Sequence, residues 1–213
     1  MKSRNEKGYS HLNLLFGWIV YFALFLVTEN CIPPEACTPV YTPLDDSIPF
    51  WEGFLIPYVL WYGWIVFSLL WMLRHHVDGF RCLQIYFTLV QLVAMVIYIS
   101  FPNRQDLRPE VFPRDNILSR GVALLYSVDT NTGVCPSMHV ALSLGMVSAW
   151  LKEREVGWFW KVAAVVFGAA VCLSTVFLKQ HSVLDFFAAL PLCLLAEIIA
   201  YGKSYWLPRM KRN

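Results

Sequence analysis

The sequence predicts an all-α integral membrane protein of six transmembrane helices, with both termini cytoplasmic. Composition is the first reason. Of 213 residues, 57% are hydrophobic and 15% charged, and the apolar residues gather in runs near twenty, the length that crosses a hydrocarbon core of about 30 Å. The second reason is the number of such runs, since six spans bring the chain back to the side where it started. The third is charge. Twelve of the seventeen Lys and Arg (positions 2, 4, 7, 74, 81, 152, 154, 161, 203, 209, 211 and 212) fall on the side of the termini. Only Arg104, Arg108, Arg114, Arg120 and Lys179 fall opposite. An excess of cations marks the cytoplasmic face.

The elements follow in order within a single domain, 1–213. Lys2, Arg4 and Lys7 precede an apolar run, Leu12–Thr28, which is longer than a signal-peptide core and lacks a small-residue cleavage site. It reads as an uncleaved first span. A Pro-rich loop to Phe50 carries Cys31, Cys37, Asp45 and Asp46. Span two is 54–73, with Tyr58, Trp61, Tyr62 and Trp64 suited to a membrane interface. The link Arg74–Arg81 leads to span three, 83–101, and its His75 and His76 read as solvated. The polar segment Pro102–Pro136 holds four arginines and a short helix at Ile117–Tyr126. Spans four, five and six are 137–151, 158–178 and 183–201. Ala141, Gly145 and Ser148 in span four, with Gly168 and Cys172 in span five, suggest a close helix contact. Cys31 and Cys37 are spaced to close a small outward-facing disulfide; two free thiols is the other reading.

The residues that carry chemistry gather on the outward face. His181 and Asp185 stand four apart at the mouth of span six, where a helix would stack them on one face. An unpaired carboxylate there costs up to ~3 kcal/mol, so Asp185 needs a partner, and His181 is the nearest by spacing. Cys135-Pro136-Ser137-Met138-His139 opens span four in the same way. Two such histidines suit phosphoryl transfer without a metal. A neutral imidazole held by a carboxylate attacks phosphorus, and a second imidazole gives its proton to the leaving oxygen. Ser137 marks a helix N-terminus that favours a phosphate, and Lys179, Arg104 and Arg108 offer formal positive charge. A net charge of +2 with scattered basic residues argues against a nucleic-acid partner. No metal-ligand motif such as His-Glu-x-x-His occurs, and no cofactor is expected.

These motifs resemble the type-2 phosphatidic acid phosphatase superfamily of membrane lipid phosphatases. That family carries Lys-x6-Arg-Pro, Pro-Ser-Gly-His and Ser-Arg-x5-His-x3-Asp. Here the second reads Pro136-Ser137-Met138-His139, and the third reads Ser174-Thr175, five residues, His181, three residues, Asp185. Of the first, Arg108-Pro109 is present and Phe101 stands at the Lys position. Met138 in place of Gly, with Leu44-Asp45 and Ile48-Pro49-Phe50 before span two, is more similar to the branch of inositol phosphorylceramide synthases. The resemblance spans Arg104–Ala189 for the motifs. It implies His181 as nucleophile, Asp185 as its orienting partner and His139 as general acid. Thr175 stands at the phosphate-binding Arg, so Lys179 is the expected substitute there and Arg104 that for the missing Lys. The implied substrate is a lipid phosphate, such as phosphatidic acid or a prenyl (pyro)phosphate, among membrane lipids. Transfer of a phospho-headgroup to a ceramide-like alcohol is the alternative. A non-enzymatic transporter or assembly subunit is a third reading. Short loops and compact size suit a bacterial plasma membrane, by analogy.

Overall fold

A computed structural model describes residues 10–210. The cations at 2, 4, 7, 211 and 212, which entered the charge asymmetry, lie outside the described residues. The architecture is all-helical, apart from a two-residue parallel pairing of β1 (Thr38–Pro39) with β2 (Asn103–Arg104). A 3-10 turn, Ser10–Leu15, leads into α1 (Phe16–Cys31). A single turn, α2 (Leu44–Ser47), precedes α3 (Leu55–His75), and a break at His76 separates α3 from α4 (Val77–Ser100). The segment between α4 and α6 holds α5 (Ile117–Val128), and α6 (Met138–Lys152), α7 (Trp158–Phe177), α8 (Val183–Tyr201) and α9 (Leu207–Met210) follow.

Among the described residues, five helices are long and apolar enough to cross a membrane. The expected fourth span, α6, is 15 residues, about 22 Å at 1.5 Å per residue. It is surrounded by helices: α3, α4, α7 and α8 all pack on it, and most of its residues are buried. A helix solvated by protein needs neither the length nor the outward apolar face of a lipid-facing one. Most exposed apolar side chains of the long helices lie instead on α1, α3, α4, α7 and α8, among them Phe16, Val66, Val96, Val166 and Leu194.

Some expected contacts are redistributed. The third span begins earlier than the apolar run, because Asp78 and Arg81 sit on the exposed first turns of α4 and pair with each other at 3.2 Å. His76 is not solvated; its Nδ1 meets Glu153 Oε2 at 3.0 Å. Arg114 forms a two-pronged pair with Glu52, 2.7 Å on each prong. All six cysteines are free, Cys31 and Cys37 included. Gly168 does meet α6, since a Cβ there would run into Val147. Gly145, however, faces α4: a Cβ would strike the ring of Tyr86, which is 1% exposed and bonded to the Ala141 carbonyl at 3.2 Å. That ring has nowhere to go, so Gly145→Ala is expected to cost about 1–3 kcal/mol, read as a lower thermal midpoint in detergent. An unchanged midpoint would mean that α4 and α6 separate freely.

Candidate active site

The site forms where the chain leaves α7 and turns into α8. The Thr175 carbonyl accepts from both the Gln180 and His181 amides at 3.0 Å, which closes the turn. Lys179 takes φ 53°, in the left-handed region, to make the bend. Ser182 then caps α8 and accepts from the Leu184 amide at 3.1 Å, while Asp185 Oδ2 accepts from the Ser182 amide at 2.9 Å. This is a capping box. His181 therefore precedes the helix, instead of sharing a face with Asp185 as the four-residue spacing suggested. The contact forms nonetheless, with His181 Nδ1 3.2 Å from Asp185 Oδ2 and 3.0 Å from the Val134 carbonyl. Both partners are acceptors, so Nδ1 carries a proton, and in the neutral ring the lone pair is on Nε2.

His139 enters from the first turn of α6. Ser137 is the N-cap of that helix, fully buried, and accepts from the Val140 amide at 3.5 Å. Its own amide donates to the Asp185 carbonyl at 3.1 Å, which joins the starts of α6 and α8. The His139 ring stacks on Tyr58 at 4.3 Å and Trp61 at 4.2 Å, and lies 5.7 Å from the His181 ring, edge to face. Its Nε2 is buried without a hydrogen-bond partner. Tyr58 and Trp61 are thus no interfacial belt; they are 1% and 6% exposed and wall the histidine. Both histidines line a cavity of about 170 Å³ that continues along α1 and α3 past Trp18, Phe22 and Ile65.

The expected cations are elsewhere. Lys179 Nζ donates to the Asp45 and Ile48 carbonyls at 2.6 and 2.5 Å, and burial pulls its pKa down. Arg104 pairs with Asp106 at 3.0 Å and reaches the Pro34 carbonyl at 2.5 Å. Neither lines the cavity. Thr175 is fully buried and bonds to the Cys172 carbonyl at 2.7 Å. Arg108 comes nearest. It grips Gln180 Oε1 through Nε at 3.1 Å and Nη2 at 2.7 Å, and donates to the Tyr126, Asp129 and Thr130 carbonyls. Its guanidinium also covers the Tyr126 ring at 4.5 Å. All three guanidinium nitrogens are engaged. Among the described residues, no three His, Cys, Asp or Glu side chains converge as a metal site.

No family model, curated protein or solved structure matches this chain. Its function must therefore be read from the site itself, including residues that sequence reasoning missed. Asn103 is fully buried and accepts from the Val134 and Cys135 amides at 2.9 and 2.8 Å, which aims the Val134 carbonyl at His181. Asp45 accepts from Ser182 Oγ at 2.6 Å and the Val183 amide at 2.8 Å. Asp129 lines the cavity and accepts from Gln180 Nε2 at 2.9 Å and the Tyr58 hydroxyl at 3.3 Å. No motif marks Asn103 or Asp129, and the Leu44-Asp45 stretch gave Asp45 no role, because each works through a partner distant in sequence.

Burial raises the Asp129 pKa, against the opposing pull of His181 and Arg108. A carboxyl whose folded pKa is raised contributes stability below its unfolded pKa and loses it as pH rises through the folded value. Asp129→Asn, which keeps an acceptor for Gln180 and Tyr58, is expected to raise the thermal midpoint at pH 7 and to flatten its fall as pH rises above the ordinary carboxylate range. A lower midpoint at pH 7 would refute that sign.

Proposed function

We propose that this chain is a metal-independent membrane enzyme that breaks a lipid phosphoester through a phosphohistidine on His181. One observation carries the reading: Nδ1 of His181 is fixed by the Asp185 carboxylate and the Val134 carbonyl, on a cavity wall shared with His139. In this reading His181 Nε2 attacks phosphorus, the bond to the leaving oxygen breaks, and His139 gives that oxygen a proton. His139 then takes a proton from water as its oxygen attacks phosphorus, and the P–N bond breaks. Asp185 steadies the charge on His181 throughout. The layout is that of six spans with both termini cytoplasmic and the site outward, in a plasma membrane. The resemblance to type-2 phosphatidic acid phosphatases, and within them to the inositol phosphorylceramide synthase-like branch, supports the same roles. A lipid alcohol in place of water is the second reading, favoured by the apolar run of the cavity along α1 and α3.

The test is release of phosphate or phospho-headgroup from a lipid panel by the purified protein in detergent with chelator. His139→Ala is expected to lower turnover by about 10²–10⁴-fold. Headgroup transfer only when a lipid alcohol is added would select the second reading. Activity that chelator abolishes, or that survives His139→Ala intact, would overturn the mechanism; no activity at all would leave a transport or assembly role as the better account.

A further inference from the structure

The cavity carries no formal positive charge on its wall. No lysine or arginine among the described residues lines it. Lys179 is held by two carbonyls, Arg104 by Asp106 and Pro34, and Arg108 by Gln180 and three carbonyls. A phosphoryl group under attack spreads negative charge over its non-bridging oxygens, and some donor must meet it. A neutral N–H can do so, and burying one costs far less than burying a cation.

Most buried side-chain donors of the wall are already used. Tyr58 and Gln180 give theirs to Asp129, at 3.3 and 2.9 Å. Tyr98 gives to the Pro136 carbonyl at 2.6 Å, and His181 Nδ1 is held by Val134 and Asp185. Trp61 differs. Its side chain lines the cavity, yet its indole N–H is buried without an acceptor. An idle buried donor costs about 1–3 kcal/mol, and folded proteins keep few of them. Indole nitrogen only donates, so the atom that meets it is an acceptor. The ring is fixed in place, 4.2 Å from the His139 ring and 5.0 Å, edge to face, from that of Tyr62. His139 Nε2 is likewise without a partner. Two unmet nitrogens on adjoining rings suit two oxygens of one phosphoryl group, the leaving oxygen at His139 and a non-bridging oxygen at Trp61.

We infer that the Trp61 indole N–H donates to a non-bridging phosphoryl oxygen, as a neutral substitute for a cation. The inference rests on the phosphohistidine reading of the same site. As His181 Nε2 bonds to phosphorus, the bond to the leaving oxygen breaks and that oxygen takes the His139 proton. The indole keeps its own proton throughout, and its hydrogen bond is strongest when the oxygens carry most charge.

The test places 3-benzothienylalanine at position 61 of the full chain in detergent, which puts sulfur where the N–H stands and keeps the ring. We expect turnover of phosphatidic acid to fall by about 10²–10³-fold. Orthovanadate, a phosphoryl mimic, should bind at least about tenfold more weakly, read from the concentration that raises the thermal midpoint. Without vanadate the midpoint should hold or rise, since an unmet donor has gone. Trp61→Phe should show the same two losses, which decides the matter should the isostere not express. Vanadate binding like the parent's in the isostere would overturn the donor inference and leave the phosphohistidine reading standing. So would losses confined to Trp61→Phe, which would mark the ring as packing alone. A lower midpoint in the isostere would show the N–H bonded in the resting protein, and would overturn the inference too. A parent that neither binds vanadate nor turns over any lipid of the panel would overturn both readings.

Discussion

His181→Ala is expected to lower turnover by about 10⁴-fold or more, the scale on which a covalent nucleophile is missed. The size follows from what no neighbour can replace. His139, 5.7 Å away ring to ring, is flanked by Tyr58 and Trp61, and no carboxylate is bonded to it. Asp129 is committed to Gln180 and Tyr58. Brief mixing with a radiolabelled substrate, quenched in base, gives the sharper readout because phosphohistidine survives base and is lost in acid. His139→Ala should still acquire label and discharge it slowly, whereas His181→Ala should acquire none. Label on the His181 variant would place the nucleophile elsewhere. A thermal midpoint for each variant separates lost chemistry from lost fold, since His181 is 8% exposed and its removal strips the Val134 carbonyl of a partner.

What the sequence made legible was spacing along the chain. The helices lie close to the apolar runs, and α8 covers the expected residues, because burial in lipid or protein demands an unbroken stretch of apolar side chains. His181, Asp185 and His139 come together as their motifs suggested, although a capping box rather than a shared helix face joins the first two. What stayed hidden were ends reached across space. A lysine's ammonium travels several ångströms from its Cα, and nothing in Lys179-Gln180-His181 says that it turns back to the Asp45 and Ile48 carbonyls. Likewise Tyr58 and Trp61 have the composition of an interfacial belt, and only the approach of α6 to α3 makes them the walls around His139. Asp129 and Asp45 look like loop carboxylates until the folded chain supplies their partners.

The second large effect falls on a residue outside the cavity. Asp45, 2% exposed, accepts from the Thr42 amide, Ser182 Oγ and the Val183 amide at 2.8, 2.6 and 2.8 Å, while its carbonyl receives Lys179 Nζ at 2.6 Å. The segment 32–50 is thereby clasped to both sides of His181. Asp45→Ala would leave the Ser182 hydroxyl and the Val183 amide without their acceptor, and each buried orphan costs about 1–3 kcal/mol. It would also remove a negative charge from the positive end of α8. The expected result is a loss of about 3 kcal/mol in stability and about 10²-fold in kcat, the scale of a misplaced reacting group. KM should change little, because Asp45 is absent from the cavity wall. Asp45→Asn keeps one acceptor oxygen and should recover part of both losses. A positioning role requires kcat to fall in the alanine variant even at temperatures where it is fully folded. If kcat then matches the parent, the clasp only holds the loop down, and the Asp185 and Val134 contacts suffice to aim His181.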